Sequence, residues 1–130
     1  CIHRDIKLEN YLLFPRNTLK LIDFEFTIYC GLKGNAINPQ RVGTKRYLAP
    51  ELIKQYKSPF LKEYKFTPAC DAYAFGKSFQ MIHFIITPDY QKLFLENITT
   101  PLLREEPCLR ANIRSTIRKL KEYLYNDDNP

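Results

Sequence analysis

At 130 residues, with 45% hydrophobic and 26% charged side chains, the chain has the composition of one ordinary globular domain or a piece of one, and not of a disordered tail. Apolar runs such as Phe84-Ile85-Ile86 are too short for a membrane span. A net charge of +6 permits a phosphate-rich partner without demanding one, and its spread along the chain reads better as a solvated basic face than as a nucleic-acid footprint.

In chain order, residues 10–14 (Asn-Tyr-Leu-Leu-Phe) read as a short strand and Pro15-Arg16-Asn17 as a turn. Residues 19–22 read as a second strand pairing back on the first. Residues 27–47 carry scattered Gly, Asn and Pro with no sustained period, so a long loop is expected, of the kind that is usually functional. Residues 50–55 predict a short helix with Pro50 at its start. Residues 57–68 read as a polar connector rich in lysine and aromatics.

From Asp71 to about Ile86, apolar residues fall on all sides: Tyr73, Phe75, Phe79, Met81, Ile82, Phe84 and Ile85. That predicts a buried helix over 71–86, N-capped by Asp71 and stopped by Thr87-Pro88. One or two short helical stretches follow in 89–103, around Leu93-Phe94-Leu95 and Leu102-Leu103. Ile113, Ile117, Leu120 and Leu124 then form one stripe of an amphipathic helix over 112–125, with a basic opposite face. The end, residues 126–130, is a polar terminator.

Cys1, Cys30, Cys70 and Cys108 are far apart, without a C-x-x-C pair, which argues against zinc and against a disulfide framework. Free thiols suit an intracellular, cytoplasmic protein. Asn97-Ile98-Thr99 matches a glycosylation sequon, but nothing else points to secretion. The chain opens on Cys1 with no charged-then-apolar leader and is expected to be a segment of a longer protein.

Three segments carry the chemistry: residues 3–10 (His-Arg-Asp-Ile-Lys-Leu-Glu-Asn), Asp23-Phe24-Glu25 after an apolar run, and residues 43–51 (Gly-Thr-Lys-Arg-Tyr-Leu-Ala-Pro-Glu). Asp5 is a carboxylate able to accept a proton from an attacking hydroxyl. Lys7 is placed to neutralise a transferring phosphoryl group. Asn10 and Asp23 offer hard oxygen ligands suited to Mg²⁺, and the two short strands would return Asp23 to the side of Asn10. Such a set performs phosphoryl transfer by positioning and charge neutralisation.

In this order and spacing, the segments resemble the catalytic loop, the magnesium-binding turn and the Ala-Pro-Glu motif of the eukaryotic protein kinase family. The resemblance covers essentially the whole chain. It implies an α+β, mainly α fold: a protein-kinase-like C-terminal lobe, a partial kinase domain without its N-terminal lobe. Within residues 1–130 it implies a catalytic loop and magnesium turn in 1–26, an activation segment in 23–51, a central helix in 71–86 and a last helix in 112–125.

By resemblance, Asp5 is the catalytic base and Lys7 contacts the γ-phosphate of ATP. Asn10 and Asp23 hold magnesium. His3 supports the Asp23 turn, Thr44 hydrogen-bonds Asp5 and Lys7, and Asp71 caps the catalytic loop from the central helix. Glu51 and Arg110 form a buried ion pair. Arg4 is the residue that, in many kinases, pairs an activation-loop phosphate. Lys7 and the Gly43-Thr44 pair point to the serine/threonine class. The implied partners are ATP, Mg²⁺, a protein substrate and the missing N-terminal lobe, with no membrane and no nucleic acid.

The chain departs from the family pattern in several places. It has no glycine-rich loop, no strand lysine and no hinge, so residues 1–130 alone are not expected to hold ATP tightly or to catalyse. Glu25 replaces a glycine, which tolerates positive φ where glutamate does not. That leaves a non-catalytic pseudokinase scaffold as the alternative. A small-molecule phosphotransferase of similar fold is disfavoured by the peptide-positioning segment 43–51. Thr27, Tyr29 and Thr44 carry hydroxyls in the activation segment, but none lies between Cys30 and Gly43. Arg4 is therefore expected to be satisfied by a backbone carbonyl, by a carboxylate such as Glu25, or by water. The separation of Glu51 from Asp71 is longer than the pattern suggests, and the stretch from Ile86 to Arg110 is shorter.

Overall fold

The structure is a computed structural model that describes residues 1–32, 34–86 and 89–126, with side chains described except at 83–86, 89–95 and 123–126. A 3-10 turn at Leu8–Asn10 leads into strand β1 (Tyr11–Phe14), which pairs antiparallel with β2 (Thr18–Leu21), Tyr11 facing Leu21 and Phe14 facing Thr18. Strand β3 (Ala36–Asn38) follows, then a 3-10 turn at Lys45–Tyr47 and helix α1 (Pro50–Lys57). Strand β4 (Tyr64–Phe66) pairs antiparallel with β3, Ala36 facing Phe66 and Asn38 facing Tyr64. Helix α2 (Pro68–Ile86), helix α3 (Asp89–Leu102), a 3-10 turn at Pro107–Leu109 and helix α4 (Ile113–Asn126) complete the order. Among the described residues, no helix is long and apolar enough to cross a membrane.

Helix α2 touches all three parts of the core. Cys70 and Tyr73 join a cluster with Ile2, Val42, Leu52, Tyr64 and Phe66. Ala74, Phe75 and Met81 pack with Ile6 and Tyr47, and Ala72 and Phe75 pack with Ile98 and Leu102. No described side chain of α2 from Cys70 to Ile82 is exposed. After Asp71 the buried positions are nonetheless the small ones, Ala72, Ala74, Gly76 and Ser78, whereas Tyr73, Phe75, Phe79, Met81 and Ile82 are half-buried. Small residues let neighbouring backbone come close, and the long side chains cover the gaps between elements. The side chains of Phe84, Ile85, Leu93-Phe94-Leu95 and Leu124, the stop at Thr87-Pro88 and residues 127–130 lie outside what is described.

Several expectations from the sequence are corrected. The expected loop over 27–47 contains β3, and the expected polar connector over 57–68 contains its partner β4. The alternation Tyr64-Lys65-Phe66 buries both aromatics and exposes the lysine, which is the period of a half-buried strand. Helix α2 begins at Pro68, so Asp71 lies inside its first turn and is not an N-cap. The segment 89–102 is one helix, with Pro101 tolerated in its last turn. In α4, Ile113 and Leu120 pack on the core, but Ile117 is exposed and Thr116 takes a buried place instead.

The crossing of α2 and α3 rests on Gly76. A Cβ there would lie 2.8 Å from Leu102 Cβ and 3.1 Å from Leu103 Cδ2. Gly76→Ala should gain roughly 1 kcal/mol of helix propensity and lose about 1–3 kcal/mol to overpacking. The expected net result is a lower urea midpoint for the chain. A midpoint at or above wild type would contradict the close approach.

Candidate active site

The first residues enter the core extended, with Ile2 bridged to Ile28 through hydrogen bonds of 2.9 and 3.0 Å. It then turns sharply, and Arg4 has φ +72°, the left-handed region that a non-glycine residue rarely adopts. Asp71 holds this turn. Its Oδ2 accepts the His3 N–H at 2.7 Å and its Oδ1 accepts the Arg4 N–H at 3.0 Å. Burial pushes the Asp71 carboxyl up, and the two N–H bonds draw it partly back.

Past the turn, Asp5, Lys7 and Thr44 converge. Thr44 donates its N–H and its hydroxyl to Asp5 Oδ1 at 2.9 and 2.8 Å. Lys7 Nζ donates to Asp5 Oδ2 at 2.6 Å and to Thr44 Oγ1 at 3.2 Å. Burial pushes the Asp5 carboxyl up, but the Lys7 and Thr44 hydrogen bonds outweigh it and hold the group below its ordinary range. A carboxylate offers about four lone-pair sites. Oδ1 has two donors and Oδ2 one, so the free site on this buried group is on Oδ2.

Asn10 is buried and donates its Nδ2–H to the Asp5 carbonyl at 2.9 Å, which leaves Oδ1 as its ligand atom. The β1–β2 ribbon continues into a bond from the Ile22 N–H to the Asn10 carbonyl at 2.9 Å, so the fold brings Asp23 back beside Asn10. Asp23 is exposed, at φ +63°, and its carboxylate has no ion pair or hydrogen bond among the described residues. One amide oxygen and one free carboxylate fit Mg²⁺, which keeps most of its shell as water and phosphate.

His3 spans the two loops. Its Nδ1 accepts the Asp5 N–H at 3.3 Å, so Nε2 carries the proton and donates to the Ile22 carbonyl at 3.1 Å. Its ring meets Phe24 edge-on, with centroids 5.0 Å apart. The strain expected at Glu25 falls elsewhere. Glu25 is exposed in a turn closed by Thr27 N–H to the Phe24 carbonyl, and Asp23 takes the positive φ.

Arg4 is buried, its Nε donating to the Phe26 carbonyl and its guanidinium lying 5.0 Å from the centre of the Phe66 ring. Of the three partners open in the sequence, the carbonyl is the one seen. Arg4 Nη1 and Thr27 Oγ1 are buried with no hydrogen-bond partner among the described residues. Glu51 and Arg110 form a two-pronged pair at 2.7 and 2.9 Å, and Arg110 also donates to the carbonyls of Ala69, Arg104 and Glu105.

Several site residues went unremarked in the sequence. The buried Tyr47 hydroxyl accepts the Leu8 N–H at 3.4 Å and donates to Glu9 Oε2 at 3.3 Å, while Arg46 pairs with Glu9. The Tyr56 hydroxyl bonds both the N–H and the carbonyl of Val42, at 3.1 and 2.8 Å. Tyr47 lay inside a quoted motif, and the aromatic enrichment of 57–68 was the signal for Tyr64 and Phe66.

Burial pushes the Glu51 carboxyl up, but its hydrogen bonds with Arg110 bring it below its ordinary value of 4.5. A carboxyl lowered by folding contributes stability above its unfolded pKa and loses it as pH falls through the folded one. The stability from this pair should therefore be complete above about pH 4.5 and fade below it. Glu51→Gln should cost about 3–5 kcal/mol at pH 7, because Arg110 stays buried and unpaired. It should also flatten the acid limb of a stability–pH profile measured by urea unfolding. An unchanged limb would remove Glu51 as its source.

Compared with known proteins, residues 1–122 match the family model described as protein kinase domain. The hormonally up-regulated neu tumor-associated kinase of Mus musculus is 28% identical over 142 aligned residues, covering 89% of this chain and 19% of that protein. The serine/threonine-protein kinase MRCK beta of Homo sapiens is 28% identical over 105 residues, 81% of this chain and 6% of that protein. A serine/threonine-protein kinase of Schizosaccharomyces pombe is 40% identical over 57 residues, 44% of this chain and 8% of its own length. The chain spans less than a fifth of the length of each of these relatives.

Proposed function

The chain belongs to the protein kinase family, and on that premise we propose that it is the C-terminal lobe of a serine/threonine kinase, contributing to transfer of the ATP γ-phosphate to a protein hydroxyl. The observation that carries the reading is the Asp5–Lys7–Thr44 triangle, which fixes a carboxylate by three hydrogen bonds and leaves one lone pair free. The mouse, human and fission-yeast relatives, named as kinases, support it. The reading places the whole polypeptide inside the cell, where ATP is available.

Each side chain has a role set by its surroundings. Asp5, ionised at neutral pH, accepts a hydrogen bond from the substrate hydroxyl at Oδ2 and orients it for attack. A carboxylate this weakly basic takes the proton late, as the new P–O bond forms, so its main work is orientation. Lys7 donates from the same side and meets charge that develops on the transferred group. Asn10 Oδ1 and the Asp23 carboxylate would hold magnesium, which supplies charge neutralisation at the phosphates.

Asp5→Asn, made in the longest natural polypeptide that carries this sequence, should lower kcat by about 10²–10⁴-fold with KM for ATP little changed. Turnover equal to wild type would take Asp5 out of the chemistry. A second outcome concerns regulation. Arg4 already faces the Phe26 carbonyl and the Phe66 ring, and no hydroxyl lies between Cys30 and Gly43. Treating the active polypeptide with a broad phosphatase should leave its activity intact. A large loss, reproduced by substituting Thr27 or Tyr29, would refute phosphate independence.

A further inference from the structure

The β3–β4 ribbon has one closed edge and one open edge. Gln55 closes the β4 edge: its Oε1 accepts the Lys65 N–H at 2.7 Å and its Nε2 donates to the Lys65 carbonyl at 3.1 Å. Lys65 therefore turns its backbone groups away from β3. In an antiparallel pair, residues directly opposite each other either both face inward or both face outward. Ile37 is the partner of Lys65, so its N–H and carbonyl point outward from the other edge. Neither has a hydrogen-bond partner among the described residues.

The outer face of the same ribbon is apolar and uncovered. The Ile37 side chain is 65% exposed, and the neighbouring connector presents Phe60 at 90% and Leu61 at 43%. With Pro39, Gln55 and Lys65 they line an open groove of about 760 Å³. The charge of the groove is positive on balance: Lys62 and Lys65 line it against the single carboxylate Glu63. Lysines often guard an exposed strand edge against unwanted pairing. Here, however, the open strand β3 carries Ala36, Ile37 and Asn38 and no charge.

We propose that this ribbon is a docking surface for an acidic, extended peptide segment of a partner protein. The segment pairs its backbone with Ile37 and lays large apolar side chains against Ile37, Phe60 and Leu61, while its carboxylates meet Lys62 and Lys65. Strand addition draws affinity from main-chain bonds and specificity from side-chain pockets, and the ribbon offers both. The surface shares no residue with the Asp5–Lys7–Thr44 triangle, so it does not depend on the catalytic reading.

The test is fluorescence anisotropy with a fluorescein-labelled peptide, Glu-Asp-Ile-Glu-Phe-Asp-Glu, titrated with the chain. Saturable binding is expected with Kd below about 0.1 mM. Ile37→Lys and Phe60→Ser should each weaken it at least about tenfold, while leaving the unfolding midpoint in place because both side chains are exposed. Raising the salt from 50 to 500 mM should weaken it further. N-methylation of the central peptide amides should abolish it. Four results would overturn the proposal: no saturable binding, binding unchanged in both variants, equal binding of a peptide with lysine at every acidic position, or a sedimenting dimer of the chain that Ile37→Lys dissociates. The last would assign the surface to a second copy.

Discussion

Asp71 lies in the first turn of a buried helix, where an ionised carboxylate is costly, and two converging backbone N–H groups hold it there. Those donors belong to His3 and Arg4, and Arg4 has the left-handed backbone that turns the loop leading to Asp5. A non-glycine residue in that region costs about 1–3 kcal/mol and persists only where its surroundings over-determine it. Asp71 supplies the over-determination, because the N–H of the strained residue is one of the two it accepts. The direction of the His3 ring, the aim of Asp5 and the burial of the Arg4 guanidinium all follow from that turn. A carboxylate on the helix thus sets the shape of a loop that is remote in sequence.

Two carboxylates a few ångströms of backbone apart are pushed in opposite directions. Burial raises Asp71, whose oxygens meet only backbone N–H groups. Burial acts on Asp5 in the same sense, but an ammonium and a hydroxyl on its oxygens reverse the outcome. Pairs of titratable groups separated in this way mark a division of roles. Asp71 is saturated by the loop it holds. Asp5 is fixed by Lys7 and Thr44, with one lone pair uncommitted. Thr44 can reach Asp5 because Gly43 precedes it at φ +102°, where a Cβ would lie 3.0 Å from the Arg4 carbonyl and 2.7 Å from Leu48 Cδ2. The segment around Gly43 meets the loop of residues 3–10 backbone against backbone, and only a residue without a side chain permits that distance.

The parts legible in the sequence were those whose chemistry is local. The spacing of Asp5, Lys7 and Asn10 within one loop, the β1–β2 hairpin around Pro15-Arg16-Asn17 and the long apolar stretch of α2 each carry their own signal. What stayed hidden depends on long-range pairing. Strands β3 and β4 are three residues each, and neither is stable without the other. Ala36-Ile37-Asn38 has almost no β signature of its own. Asp71 read locally as an N-cap, and only the resemblance pointed to the other segment whose N–H groups it accepts. Glu25 read as a strained position because glycine is the family residue there, yet the chain relieves it by giving the positive φ to Asp23.

Aromatic residues of α1 and β4 explain how residues 28–44 keep their place. Phe66 is fully buried beneath the Arg4 guanidinium, and its strand carries β3 on one side. The Tyr64 hydroxyl takes a hydrogen bond from Arg41 at 2.6 Å, and the Tyr56 hydroxyl clasps the backbone of Val42. Burial pushes the Tyr56 hydroxyl up, so it stays protonated and able to donate. From Ile28 to Thr44 the segment is therefore tied at four places: to Ile2, to β4, to the two tyrosines and to Asp5. The ties to Ile2, to β4 and to the Val42 backbone are neutral, and those through Arg41 and Asp5 carry charge. Screening acts on charges and leaves packing alone, so ionic strength bears on the segment at Arg41 and at Thr44 and spares the ring faces and ladder bonds. The Thr44 contact sits at the end of the segment, at the carboxylate with the free lone pair.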